Sequence, residues 1–262
     1  MRKYIGEFIG TTLLVFFGCG ITVAASILFS AAGMLPAAFV SFISAAGFGL
    51  LTAVLIFAFG DISGGHLNPV ISLSLWVSGR MKGKDLIGYV IGQFAGGICG
   101  AALLAAVIGG RTALGANGFE ELSTFGTGKW VVFLIEAMMT FTLVWVVLAV
   151  RKTDRFEPSA AVYTGLATAA VYLFGYPFSG ASANPARSLG PALLQDGDAV
   201  QQAWMFILAP VAGALAASVI YKLMTVKRKP LLSVEAEENL LENEEPEYSE
   251  AESEGEADTE EV

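Results

Sequence analysis

The sequence predicts an all-α membrane protein of six transmembrane helices and two re-entrant half-helices, arranged as an inverted 3+3 repeat. Three observations predict it. Hydrophobic residues make up 55% of the 262 residues and charged residues 15%, against about one quarter charged in soluble domains. Six apolar segments approach or exceed the roughly 20 residues that cross a hydrocarbon core. A short signature, Ser-Gly-x-x-x-Asn-Pro, occurs at 63–69 and again at 179–185, 116 positions apart.

The spans are expected at 4–26, 37–59, 86–108, 130–150, 159–175 and 204–221. The first follows Arg2 and Lys3, and its apolar run is nearer a full span than the roughly 7–15-residue core of a signal peptide. Short apolar runs follow each signature, at 69–77 and 185–194. Asn68 and Asn184 are favoured N-cap residues, and Pro69 and Pro185 suit the first helical turn, where no N–H is needed. Ten helical residues rise about 15 Å, half of a bilayer core. These runs are half-helices. Helix N-termini at membrane depth are tolerated only inside protein or beside a water-filled cavity.

Charge fixes the orientation. Twelve basic residues fall on one side of this topology, among them Arg2, Lys3, Arg80, Lys82, Lys84 and Arg151, while only Arg111 and Lys129 fall on the other. The side rich in Lys and Arg is cytoplasmic, so both termini are expected there. Fourteen of the 24 acids lie in 231–262, which has no base. That segment is read as a disordered acidic tail, with Lys227, Arg228 and Lys229 before it suited to anionic headgroups. Cys19 and Cys99 lie inside apolar runs and read as small buried hydrophobes.

The halves, about 1–110 and 128–230, match beyond the signature. Glu7-x-x-x-Thr11-x-x-Leu14-Val15 resembles Glu136-x-x-x-Thr140-x-x-Leu143-Val144, and Gly49 precedes Gly165 by the same 116 positions as the two asparagines. Three spans per half invert the second relative to the first, so the half-helices enter from opposite faces and their N-termini meet at the centre. Each N-terminus carries about half a positive charge and unpaired N–H groups. Asn68 and Asn184 add amide donors for a permeating molecule. Arg187, one turn after Asn184, is a fixed cation in a membrane segment and a functional candidate. Glu7 and Glu136 are the two acids well inside spans and read as acceptors bracing the half-helices. His66, the single histidine, reads as a structural residue beside the first half-helix. One histidine and scattered acids offer no metal cluster or nucleophile–base pair, which argues against an enzyme and against a metal or cofactor.

Together, the duplicated Asn-Pro signature, the half-helices, Arg187 and the Glu-bearing first and fourth spans resemble the aquaporin, or major intrinsic protein, family. The resemblance covers nearly all of 1–229 and implies a channel domain over 1–230, a homotetramer with one pore per subunit, and an aromatic/arginine constriction. By ungapped spacing from the asparagines, that constriction falls on Phe48, Tyr172, Ala181 and Arg187. Tyr172 stands where water channels usually have His and glycerol facilitators Gly. The first motif reads Asn68-Pro69-Val70 where the family usually has Ala third, and the second reads Asn184-Pro185-Ala186. Val70 therefore either narrows the centre or repacks the half-helix. Ser188 and Ala192 follow the water-channel pattern, whereas Phe206-Ile207 departs from it.

The resemblance implies a multi-pass protein of the plasma membrane that passes water and excludes protons and ions, with lipid and no nucleic acid as its surroundings. The alternative within the family is a facilitator of glycerol or another small polyol. From another class, an ion-coupled secondary transporter also uses inverted repeats and broken helices, and would need an intramembrane carboxylate such as Glu7 or Glu136 for coupling.

Overall fold

The computed structural model describes residues 1–31, 37–151 and 158–225; the acidic tail 231–262 and the basic cluster Lys227–Lys229 lie outside them. The described residues are mostly helical, and no strand occurs among them. Its first half runs α1 (Arg2–Ala31), α2 (Ala37–Ser63), α3 (Pro69–Val77) and α4 (Gly83–Ile108). The second half repeats that order of lengths: α5 (Lys129–Val150), α6 (Pro158–Ser179), α7 (Pro185–Leu194), a single turn α8 (Ala199–Gln202) and α9 (Met205–Thr225).

Helix ends are set by backbone geometry and not by the edge of the apolar run. The second span, expected to stop at 59, continues to Ser63 and ends where Gly64 adopts φ 83°. The fifth, expected to stop at 175, continues to Ser179 and ends where Gly180 adopts φ 76°. Only glycine enters that region without steric cost. Each long helix thus gives way to its re-entrant loop at the same place in the repeat.

Five stretches are long and apolar enough to cross a membrane: Arg2–Ser30, Ala38–Ser63, Gly83–Ile108, Lys129–Val150 and Ala199–Thr225. The expected fifth span is present as the 22-residue helix α6 but is not among these five. Thr164, Thr168, Tyr172 and Ser179 point inward from it and are buried, so polarity lost from the lipid-facing count is placed on the protein interior.

Small residues let the helices close on one another, as expected where lipid supplies no hydrophobic drive for helix association. A Cβ on Gly49 of α2 would lie 2.8 Å from the Gly165 carbonyl oxygen of α6. One on Gly165 would lie 2.6 Å from both the Gly49 oxygen and the Ala53 Cβ. The two repeat-related glycines therefore cross backbone to backbone. Gly97 of α4 is pressed in the same way against the Ala186 carbonyl of α7, and a Cβ on Gly190 would come 3.0 Å from Ile98 N. Gly165→Leu is expected to abolish the folded protein, because overpacking already costs about 1–3 kcal/mol where side chains can move and here the obstruction is backbone. Size-exclusion profiles of detergent-extracted protein check this, with lipid-facing Leu166→Ala keeping the parental elution. A monodisperse Gly165→Leu peak would refute it.

Candidate pore

Two strained loops, 64–68 and 180–184, carry the site. Gly65, Leu67, Ala181 and Ala183 all have positive φ, at 56°, 52°, 48° and 44°. For a residue with a side chain that region costs roughly 1–2 kcal/mol, so it persists only where surroundings enforce it. Glu7 supplies the enforcement in the first half. Its Oε1 accepts from Ser63 Oγ at 2.7 Å and His66 N at 2.9 Å, and its Oε2 from Leu67 N and Gln93 Nε2, both at 2.7 Å. Glu136 does the same in the second, accepting from Ser179 Oγ at 2.6 Å and from Ser182 N and Ala183 N, both at 2.9 Å. Both carboxylates are fully buried. Ser63 and Ser179 also accept from the N–H two residues on, Gly65 N and Ala181 N, at 3.2 and 3.1 Å.

The loops end on the two asparagines. Asn68 caps α3 with extended backbone, φ −157°, its Oδ1 accepting from Val70 N at 3.1 Å. Asn184 caps α7, φ −151°, accepting from Ala186 N at 3.0 Å and Arg187 N at 3.2 Å. Pro69 and Pro185 follow at the first helical position. The Nδ2 groups cross the midplane: Asn68 donates to Ala183 O at 2.8 Å and Asn184 to Leu67 O at 2.9 Å. The strained residues of each loop therefore present carbonyls to the other half's amide. One N–H of each amide is committed to this brace, which no local pattern foreshadows, and the second is left over.

Between them lies a cavity of about 20 Å³, lined by both asparagines, Phe48, His66, Tyr172 and Ser182 among others. A water needs about 10–15 Å³, so this is room for one water, two at most. Two helix N-termini face it, and cations meet a positive field from either direction.

Phe48 and Tyr172 both line the cavity, with ring centroids 5.1 Å apart. Arg187 Cζ sits 5.0 Å from the Phe48 ring centroid. Arg187 and Ala181 are buried but do not line the cavity itself. The guanidinium donates from Nη1 to Gly115 O at 2.8 Å and Asn117 Oδ1 at 2.7 Å, and from Nη2 to Gly180 O at 3.4 Å. Among the described residues its Nε has no hydrogen-bond partner and Arg187 forms no ion pair. Asn117 also accepts from Ser188 Oγ at 2.7 Å, which meets Ser182 Oγ at 2.5 Å. In the first half the equivalent contact is His66 Nδ1 to Ser72 Oγ, 3.0 Å, beside the Tyr89 ring at 4.8 Å.

Val70 decides between its two sequence readings. It is fully buried in a cluster with Ile71, Leu75, Val144 and Leu148 and does not line the cavity. Its extra methyls repack the half-helix and leave the centre unchanged. Ala186 is likewise buried, against Gly97.

Sequence reasoning missed several supporting residues. Gln93, a lone amide inside an apolar span, was detectable as a polar group at membrane depth. Asn117 carried no signal, since its loop has no repeat partner. Arg151, read only as part of the basic excess, donates to Gly64 O at 2.7 Å and Gly65 O at 3.3 Å, and Arg80 in turn bonds the Arg151 carbonyl.

Residues 1–221 match the family described as Major intrinsic protein. The chain belongs to the major intrinsic protein family. Among its major intrinsic protein relatives is Aquaporin Z of Photorhabdus laumondii subsp. laumondii, 34% identical over 239 residues that cover 87% of this chain and 100% of the relative. Aquaporin Z of Brucella melitensis biotype 1 is 36% identical over 230 residues, covering 85% and 97%. The X-ray structure of the aquaglyceroporin from Plasmodium falciparum superposes with a TM-score of 0.71, covering 84% of this chain and 95% of that one. At 22% identity that likeness speaks for the fold alone. As a major intrinsic protein, the chain is a multi-pass integral membrane protein of a channel family with the aquaporin fold.

Proposed function

We propose that this protein is a passive water channel that excludes protons and ions. The observation that carries the reading is the water-sized cavity where the N-termini of α3 and α7 meet across Asn68 and Asn184. The remaining Nδ2 hydrogens of the two asparagines donate to a passing water oxygen, so that water cannot also accept from its neighbours and the proton wire breaks at the centre. Arg187, which forms no ion pair among the described residues and lies beside Phe48, is the second barrier to cations, while Phe48 and Tyr172 set the bore. Glu7, Glu136 and His66 support the loops and take no part in transport. The name Aquaporin Z borne by the two relatives supports water as the substrate.

The protein resides in the plasma membrane as a homotetramer with both termini cytoplasmic, the side marked by Arg2, Lys3, Arg80, Lys82, Lys84 and Arg151. The acidic segment 231–262 is an appendage to the channel domain.

Stopped-flow light scattering of reconstituted vesicles tests the function. Against an impermeant osmolyte, vesicles with protein are expected to shrink many-fold faster than protein-free ones. Against glycerol they are expected to shrink with little re-swelling on that timescale. Rapid glycerol re-swelling would move the protein to the polyol-facilitator branch, and flux that depended on an ion gradient would indicate coupled transport.

A further inference from the structure

The two re-entrant loops open on glycines 116 positions apart, Gly64 and Gly180, and each offers its carbonyl to an arginine. Arg187 donates from Nη2 to Gly180 O at 3.4 Å. Arg151 donates from Nη1 to Gly64 O at 2.7 Å and from Nη2 to Gly65 O at 3.3 Å. Both guanidiniums keep a buried Nε without a hydrogen-bond partner among the described residues, and neither forms an ion pair among them. The two arginines nevertheless come from different places in the repeat. Position 71 stands to Asn68 as 187 stands to Asn184, and there the chain has Ile71, which lines the cavity. The first half-helix thus has no arginine at this place, and the C-cap of α5 supplies one from the second half. Arg151 is itself held: its carbonyl accepts from Arg80 Nη1, which also donates to Leu148 O at 2.9 Å. A Cβ on Gly64 would lie 3.2 Å from His66 Nε2 and 3.7 Å from Arg151 Nη1, so the guanidinium and the cavity-lining His66 ring flank the same glycine. Because α2 and α6 run in opposite directions in the inverted repeat, Gly64 and Gly180 mark opposite ends of the pore, and a fixed positive charge stands at each.

We infer that Arg151 is a specificity-determining residue: a second fixed cation, at the end of the pore opposite Arg187, that repels metal cations before they reach the asparagines. The inference rests on the channel reading above. Coulomb repulsion falls only as the inverse of distance and is weakly screened where charges are partly buried, so this guanidinium need not touch the lumen to act on an ion inside it. The competing role is bracing alone, in which Arg151 does no more than satisfy the carbonyls of Gly64 and Gly65 beyond the C-terminal end of α2.

Ion flux separates charge from bracing. The double variant Arg187→Val/Tyr172→Ala removes the barrier at the other end, and Arg151→Met, Arg151→Gln or Arg151→Lys is added to it. Potassium and chloride permeabilities of reconstituted vesicles are then compared. Met and Gln remove the charge, so the potassium-to-chloride ratio is expected to rise about three- to tenfold over the double variant. Lys keeps the charge and loses the planar fork, so the ratio is expected to stay near the value of the double variant. Loss of bracing opens the loop to both ions alike. A flat ratio with Met and Gln, or a ratio raised as far by Lys as by Met, therefore overturns the inference. So does a triple variant that passes no more potassium than the double. Should the Met variant fail to reconstitute as folded protein, Gln, which keeps amide donors without the charge, decides by itself in the same sense. A parent with fast water flux and an unmoved ratio in the variants refutes only the role of Arg151. A parent no more permeable to water than bare lipid sinks the channel reading and this inference with it.

Discussion

Glu136→Leu is expected to leave no folded channel. The substitution removes the acceptor for Ser179 Oγ, Ser182 N and Ala183 N, all in a buried site where no other partner is at hand. Each orphaned donor costs about 1–3 kcal/mol, and three together approach the whole stability of a typical domain, about 5–15 kcal/mol. The positive φ of Ala181 and Ala183 would then have nothing to hold it. Glu136→Gln keeps one carbonyl oxygen but turns an NH2 toward backbone donors, so it should fall between the two. Glu7→Leu, which orphans Ser63 Oγ, His66 N, Leu67 N and Gln93 Nε2, should be at least as damaging. Thermal unfolding of detergent-solubilised protein reads this directly, and a parental Tm for Glu136→Leu would contradict the bracing role. If Glu136→Gln instead folded normally and lost flux that depended on an ion gradient, the carboxylate would be a coupling group.

The second large effect is on charge exclusion. Arg187→Val combined with Tyr172→Ala should open a leak of protons or small cations, raising proton entry by at least about tenfold, some 1.4 kcal/mol of barrier. The double variant removes the buried guanidinium beside Phe48 and the ring that faces Phe48, so the cavity loses one aromatic wall and the fixed charge near it. The helix N-termini at the centre remain, and so a residual barrier is expected. A pH-sensitive dye inside vesicles under a potassium diffusion potential measures the leak. A double variant as proton-tight as the parent would locate the barrier wholly at Asn68 and Asn184.

Much of this protein was legible in its sequence because its constraints are periodic or chemically rare. Lipid demands long apolar helices, so most spans follow from composition; α6 is the long helix among the described residues that composition does not mark as a span, and its Thr168 and Tyr172 line the cavity. Asn followed by Pro writes a helix start into two residues, and its duplication placed α3 and α7 with the boundaries found in the structure. Arg187, Glu7 and Glu136 were conspicuous because charge at membrane depth has few uses.

What the sequence determined, then, is which segments span, where the half-helices begin, and which polar residues lie among them, since each of these is a local property of chain chemistry in a solvent that cannot satisfy polar groups. Only the tertiary structure decided how those residues are partnered. That one amide hydrogen of each asparagine braces the other half, that Val70 points into the α5–α9 packing, that Asn117 holds Arg187, and that Tyr172 caps the Ser182 carbonyl all depend on contacts between loops and helices far apart along the chain. Such contacts are fixed by backbone direction at a few strained residues, where positive φ at Leu67, Ala181 and Ala183 aims carbonyls that no pattern of side chains reveals.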